Sequence, residues 1–169
     1  VHPLGKVPAI DDDGLVLNES GAILQYLLEK HGNGRLEPKP GSAGRGQYLH
    51  WFHFAEATMM VPIGNIAQHS FIRPEDKRIP QVAAESVEST KKMLGILEKE
   101  LQGKDFICGK EFTAADIMMS FPVEAGLTRI PGREATPALD AWLETVRARP
   151  AYQRALDRGG AYRYGKAKG

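Results

Sequence analysis

Residues 5–21 read GKVPAIDDDGLVLNESG, and this stretch decides the fold of the first part of the chain. Two short apolar runs, residues 7–10 and residues 15–17, flank four residues that end in Asp13-Gly14. An Asp-Gly pair between two such runs favours a tight turn, because both central turn positions require a positive φ. The sequence therefore predicts a two-stranded β-hairpin.

A helix is predicted directly after the hairpin. Asn18 is the predicted N-cap, because its side-chain oxygen can accept a hydrogen bond from a free backbone N–H of the first turn. An apolar face at helical spacing follows, made of Ile23, Leu24, Leu27 and Leu28, and His31-Gly32 is the predicted end. A hairpin with one helix is marginally stable in water. We therefore interpret residues 1–31 as part of an α/β domain.

The remainder of the chain has a helical pattern. Residues 32–41 read GNGRLEPKPG, and this Gly- and Pro-rich segment predicts a linker. Residues 42–169 predict an all-α domain. The first expected helix contains Tyr48 to Met59 and is broken or kinked at Pro62, and the second runs from about Pro80 to Gln102. A third helix begins at Thr113 and is bent at Pro122. A fourth begins at Thr136-Pro137, and a short fifth begins at Pro150.

Composition excludes several classes of protein. The net charge is +1, with 22 Lys and Arg against 21 Asp and Glu, which argues against a nucleic-acid surface. Cys108 is the only cysteine, and no apolar run approaches the length of a membrane span. We therefore expect a cytoplasmic protein with no membrane partner. No metal site is expected, because His50 and His53 lack Cys, Asp or Glu at zinc-ligand spacing.

Several motifs occur in an order that resembles the cytosolic glutathione transferase family. They are Gly5-Lys6-Val7-Pro8, the Asp-Gly hairpin, Asn18-Glu19-Ser20-Gly21, the linker, and Phe112-Thr113-Ala114-Ala115-Asp116-Ile117. The resemblance covers essentially the whole chain. It implies an α+β fold that is mostly helical, namely the C-terminal part of a thioredoxin-like domain followed by an all-α domain. It also implies that Thr113 and Asp116 form a structural helix cap, whose loss costs about 0.5–2 kcal/mol.

The resemblance implies glutathione as co-substrate, bound by Val7, Pro8, Glu19 and Ser20. A cis Val7-Pro8 bond would turn the Val7 backbone toward the peptide, and the helix start would receive its γ-glutamyl carboxylate. Glu19 could accept from its ammonium group, Lys6 could reach its glycine carboxylate, and Gly21 would permit close approach. The alternatives without ligand binding are a trans Val7-Pro8 bond, a helix start at Glu19 and Ser20 that has only a structural role, and a Lys6 side chain that is solvated.

An acceptor pocket for a small hydrophobic electrophile is expected against the first long helix after the linker. Its candidates are Trp51, Phe54, Thr58 and Met59, with Tyr162 and Tyr164 closing it, although the first four are equally typical of core. Cys108 is interpreted as a buried small hydrophobe. The family's catalytic Tyr, Ser or Cys lies upstream of its cis-proline, so it is expected before Val1.

The function that the resemblance implies is conjugation of the glutathione thiolate to small electrophiles, of detoxification type, by a homodimer. The alternatives are a family member that binds glutathione or a partner protein without catalysis, and an unrelated structural helical domain. The sequence does not reveal the electrophile, the class within the family, or the type of the catalytic residue. Acceptor pockets are built from apolar side chains of several helices, and spacing does not encode their chemistry.

Overall fold

A computed structural model of the chain describes residues 3–130, 134–160 and 162–164. Two strands, β1 (Ala9–Asp12) and β2 (Leu15–Asn18), are followed by seven α-helices. The helices are α1 (Ser20–Leu27), α2 (Arg45–Phe54), α3 (Met60–Ala67), α4 (Pro80–Leu101), α5 (Ala114–Arg129), α6 (Pro137–Ala148) and α7 (Pro150–Gly159). Single π-helical turns, Leu28–Gly32, Ala55–Met59 and Gln68–Ile72, follow α1, α2 and α3. The mostly helical α+β fold is as predicted.

The predicted hairpin is present. Strands β1 and β2 are antiparallel, with Ala9 opposite Asn18 and Asp12 opposite Leu15. Asp13 and Gly14 both have a positive φ, 53° and 88°, which matches the right-handed twist of the strands. The Gly14 N–H donates to Asp11 Oδ1 over 2.9 Å. The turn is therefore specified locally, as the Asp-Gly pair indicated.

Helix α1 is tied to the hairpin through Asp12. Tyr26 Oη donates to Asp12 Oδ2 over 2.7 Å, and Lys30 Nζ donates to the same oxygen over 2.5 Å. The bond from Lys30 holds the pKa of the Asp12 carboxyl below its usual value. The N-cap predicted at Asn18 was wrong by one residue, because α1 begins at Ser20 with Glu19 as the preceding residue.

The linker is ordered by two contacts with the helical domain. Arg45, at the start of α2, donates to Glu37 Oε2 over 2.6 Å and to the Pro38 carbonyl over 2.9 Å. The Ala114 N–H, in the first turn of α5, donates to the Leu36 carbonyl over 2.7 Å. The segment after α1 therefore fixes the first domain against α2 and α5.

Helix α5 lies at the centre of the helical domain. Ten of its sixteen residues are buried, and the exposed residues Ile117, Phe121 and Thr128 lie along one stripe. The helix packs against α1, α2, α3, α4 and α6. A Cβ at Gly126 would meet Thr90 Cγ2 at 3.3 Å, so glycine permits the close approach of α4. The helix continues past Pro122 to Arg129, and the bend expected there stays a prediction.

The start of α5 is fixed by a buried carboxylate. Asp116 is fully buried and accepts from the Thr113 N–H over 2.9 Å, which completes the predicted capping box. It also accepts from the Ile107 N–H and from Trp142 Nε1, each over 2.9 Å. Trp142 belongs to α6, so one side chain joins a helix start, the preceding loop and a second helix.

Pro62 does not break the helical run, because α3 continues through it to Ala67, and the alternative of a kink stays a prediction. The chain forms a π-helical turn over Ala55–Met59 and returns to α-helix at Met60. Proline has no N–H for the helical ladder, and a π turn is a usual place for the ladder to adjust. The wider turn adds a residue, so the face that follows it is rotated relative to a regular α-helix.

Candidate functional site

A cleft of about 740 Å³ lies between the first domain and the helical domain. One wall comes from the segment before β1 and from the start and apolar face of α1. The other wall comes from the π turn after α2, from α3 and from α5. The lining residues are Leu4, Lys6, Val7, Pro8, Asn18, Glu19, Ser20, Ile23, Leu24, Leu27, Glu56, Met60, Ile117, Met118 and Phe121.

The five residues predicted to bind glutathione all line the first wall: Lys6, Val7, Pro8, Glu19 and Ser20. The Val7-Pro8 bond is cis, as the resemblance implied. Val7 is 92% exposed and is one of the residues that line the cleft. The structure therefore brings together two segments that are eleven residues apart in sequence, from Pro8 to Glu19.

The start of α1 presents backbone donors to this cleft. No side chain caps the helix, and the Ile23 N–H donates to the Glu19 carbonyl over 2.9 Å. The N–H groups of the first turn are thus directed at the position where an anion is stabilised by the helix dipole. The half-buried Ser20 opens the helix and adds a hydroxyl to these donors.

Glu19 has an unusual backbone. Its φ is 74° and its ψ is 116°, a region that non-glycine residues rarely occupy. Such conformations cost about 1–3 kcal/mol and cluster at binding sites. Asn18 Nδ2 donates to Glu19 Oε1 over 3.3 Å and holds the carboxylate beside the cleft. Asn18 therefore positions the carboxylate of Glu19 instead of capping the helix.

Gly21 lies where the first turn of α1 meets the helical domain. A Cβ at this position would lie 3.4 Å from Phe52 Cε1 and 3.7 Å from Met118 Cε. A side chain at this position would thus touch α2 and α5 at ordinary van der Waals distance. The expected approach of a ligand to Gly21 stays a prediction.

The residues predicted for the acceptor pocket are not brought to the cleft. Trp51 and Met59 are buried in the helical core, with 4% and 0% exposure. Phe54 and Thr58 line a different groove, between α3 and α4. The cleft wall is formed instead by Glu56, Met60, Ile117, Met118 and Phe121. A regular helical period does not anticipate the π turn, which rotates Glu56 and Met60 onto the cleft face.

Tyr162 belongs to a buried polar cluster behind the cleft. Its hydroxyl donates to Glu124 Oε2, and Tyr152 Oη donates to Glu124 Oε1 over 2.8 Å. Arg147 Nε donates to the same carboxylate over 2.9 Å. Burial and the bond to Glu124 raise the pKa of Tyr152 to about 12, and that of Tyr162 rises for the same two reasons.

The tail reaches the cleft wall indirectly. Tyr164 packs edge to face on Phe121, with ring centroids 5.8 Å apart, and accepts from Arg129 over 2.7 Å. Arg147 also donates to the Tyr164 carbonyl over 2.9 Å. Of the two predicted closing tyrosines, Tyr164 therefore lies against the back of Phe121, and Tyr162 packs on Tyr164 with ring centroids 5.7 Å apart. Sequence reasoning missed Glu124 as the group that holds Tyr162.

Nothing in the described parts of the chain indicates metal or cysteine chemistry. Residues 3–130, 134–160 and 162–164 contain no group of three His, Cys, Asp or Glu that could hold an ion. Cys108 is half-buried, and burial raises the pKa of its thiol. In the same residues, no helix has the length and hydropathy of a membrane span.

Comparison with known proteins identifies relatives over both parts of the chain. Residues 1–38 match the family model of the glutathione S-transferase N-terminal domain, and residues 59–150 match that of the C-terminal domain. Glutathione S-transferase 3 of Schizosaccharomyces pombe is 28% identical over 94% of this chain and 69% of its own length. Disulfide-bond oxidoreductase YfcG of Escherichia coli is 31% identical over 92% of this chain and 74% of its own length.

A solved structure has the same architecture. The sphingomonad glutathione S-transferase complexed with glutathione is 31% identical, with a TM-score of 0.79 over 95% of this chain and 77% of that protein. The cleft, the start of α1 and the central α5 thus occur in a fold shared with a glutathione-bound relative. The chain belongs to the glutathione S-transferase family.

Proposed function

We propose that the protein catalyses attack of the glutathione thiolate on small electrophiles, in a detoxification role. The main support for this function is that Val7, Glu19 and Ser20 lie on one wall of a cleft whose opposite wall is mainly apolar. The polar groups of the first wall suit a charged peptide, and the apolar opposite wall suits a hydrophobic acceptor. The co-crystallised glutathione of the sphingomonad relative supports glutathione as the peptide.

The thiol-activating group is proposed to come from a segment that precedes Val1 in a longer protein. Among the described residues that line the cleft there is no Tyr or Cys, and Ser20 lies at the helix start assigned to the carboxylate. An unperturbed thiol has a pKa of about 8.5, so glutathione bound by this wall alone would remain largely protonated at neutral pH.

A conjugation assay tests the function. Residues 1–169 and a form extended by the preceding coding sequence would be incubated with glutathione and 1-chloro-2,4-dinitrobenzene. In this reaction the thiolate forms a C–S bond with the ring and chloride leaves. We expect turnover from the extended form and none above background from residues 1–169. Turnover by the shorter form would show that a residue within it activates the thiol.

A second candidate function is glutathione-dependent disulfide reduction. It is favoured by the 31% identity to the disulfide-bond oxidoreductase of Escherichia coli. Two glutathione thiols would then reduce one disulfide and leave as oxidised glutathione. The same preparations assayed with a small disulfide, such as hydroxyethyl disulfide, distinguish the two functions. Binding of glutathione without either activity would favour the non-catalytic alternative.

Ser20→Ala is expected to weaken glutathione binding by about 1–3 kcal/mol, because the γ-glutamyl carboxylate loses a hydroxyl donor at the helix start. Isothermal titration calorimetry on the extended protein measures this directly. Ser70→Ala, at an exposed position outside the cleft, is the matched control and should bind normally. If Ser20→Ala and Glu19→Ala both bind glutathione with unchanged affinity, the assignment of this wall is wrong.

We also propose a cytoplasmic homodimer. The groove between α3 and α4 is lined by both polar and apolar residues, and among the apolar ones Val61 is 60% exposed and Ile96 is 44% exposed. A two-fold pair would cover them, and this symmetry is the commonest among soluble oligomers. Sedimentation velocity of the extended protein at micromolar concentration checks the proposal, and a monomer would contradict it.

A further inference from the structure

Glu56 is the only charged side chain that the helical domain contributes to the described lining of the cleft. Its neighbours on this wall are Met60, Ile117, Met118 and Phe121. Lys6 and Glu19, the other charged lining residues, lie on the opposite wall, which is assigned to glutathione. The wall that faces an acceptor is therefore apolar with a single carboxylate.

The carboxylate of Glu56 is not used by the fold. The side chain is exposed, and among the described residues it has no hydrogen-bond or ion-pair partner. Its place in the cleft depends on the π-helical turn Ala55–Met59, and such turns are frequent at functional sites. The turn thus presents an unpaired negative charge to whatever occupies the acceptor side.

An unpaired carboxylate discriminates between ligands. An apolar ligand that covers it removes water without replacing the lost hydrogen bonds, which is unfavourable. A ligand that carries a positive charge or an N–H or O–H donor replaces those bonds. A ligand that carries a carboxylate or sulfonate is repelled. The rest of the wall favours an apolar or aromatic body.

We propose that Glu56 determines acceptor specificity, so that the protein prefers apolar electrophiles bearing a cationic or hydrogen-bond-donating group over anionic ones. This inference rests on the proposed function, because it names the class of electrophile for the same cleft. Glu56 acts on the acceptor by direct contact and takes no part in holding the glutathione peptide.

The test compares three aryl chlorides that share a 4-chloro-3-nitrophenyl core and carry a trimethylammonium, a carboxamide or a carboxylate substituent. The measured quantity is the ratio of kcat/KM for the cationic and anionic acceptors, in the extended protein. Any effect of Glu56 on the glutathione thiol is common to all three acceptors and cancels in this ratio. Intrinsic reactivity cancels when the ratio is compared between variants.

Glu56→Gln is expected to lower the cationic-to-anionic ratio about fivefold, and Glu56→Lys to lower it further, with glutathione affinity unchanged. Glu75→Gln is the matched control, because Glu75 is exposed in a short 3₁₀ turn outside the cleft. A ratio that both Glu56 variants leave within twofold of the starting protein overturns the inference. A Glu56→Gln variant that loses glutathione affinity but keeps the cationic-to-anionic ratio also overturns the inference.

A binding measurement decides the question without catalysis. The S-aryl glutathione conjugates of the cationic and anionic compounds would be titrated calorimetrically into the same variants. The expected result is the same fivefold change in the ratio of the two dissociation constants. If the neutral acceptor is not conjugated at all, the proposed transferase function fails, while the conjugate affinities still confirm or overturn the role of Glu56.

Discussion

Asp116→Ala is expected to lower the free energy of unfolding by about 3–5 kcal/mol, because it leaves several buried donors without an acceptor. These donors are the Thr113 and Ile107 N–H groups and Trp142 Nε1, each 2.9 Å from a carboxylate oxygen. The carboxylate is fully buried, so water does not replace it without opening the packing of α5. Urea denaturation followed by circular dichroism measures the loss.

Asp76→Ala is the control for this change, because Asp76 is exposed in the short turn before α4. Its effect should stay within about 0.5 kcal/mol, as is usual for surface substitutions. Thr113→Ala separates the helix cap from the rest of the network, and should cost only about 0.5–2 kcal/mol. If Asp116→Ala costs no more than Thr113→Ala, the bonds to Ile107 and Trp142 contribute nothing beyond the cap.

Local sequence signals predicted the features whose causes are local. The Asp13-Gly14 turn, the helix beginning at Pro80 and the Thr113-Asp116 cap each depend on residues within a few positions of one another. The contribution of Asp116 to stability was nevertheless underestimated, because its hydrogen-bond partner Trp142 lies 26 residues away on α6. Spacing within one helix carries no information about such a contact.

The acceptor wall could not be predicted for a different reason. Helical periodicity assigns faces on the assumption that each turn has 3.6 residues. The π turn Ala55–Met59 breaks that assumption within the very helix that forms the wall. Residues Phe54 and Thr58 consequently face the groove beside α4, while Glu56 and Met60 face the cleft. The residues proposed to bind glutathione escaped this error because they lie just before the hairpin and at a helix start, where no helical period is assumed.

Glu124→Ala is also expected to lower the free energy of unfolding by about 3–5 kcal/mol, because it removes one member of a buried ion pair and leaves the other without a partner. Glu124 has 1% side-chain exposure and Arg147 has 16%, and their atoms Oε1 and Nε are 2.9 Å apart. Two tyrosine hydroxyls, those of Tyr152 and Tyr162, lose their acceptor at the same time. Denaturation curves measure the loss of stability.

The matched control uses the same arginine. Glu144 lies 3.7 Å from Arg147 Nη1 but is 53% exposed, so Glu144→Ala should cost less than about 1 kcal/mol. A double variant, Glu124→Leu with Arg147→Met, should recover the part of the lost stability that is due to the unpaired arginine, since paired removal of a buried ion pair is often nearly neutral. Equal effects of Glu124→Ala and Glu144→Ala would contradict the buried pair.

Glu124→Ala should also affect the acceptor side of the cleft, through residues 162–164. Arg147 and Tyr162 hold residues 162–164 against α5, and Tyr164 packs on the back of Phe121, which lines the acceptor wall. Loss of the cluster should therefore loosen the tail and leave the glutathione wall intact. We expect unchanged glutathione affinity and weaker binding of an aryl conjugate, measured calorimetrically on the folded variant. Equal weakening of both ligands would mean that the substitution disturbs the whole cleft and not its acceptor side.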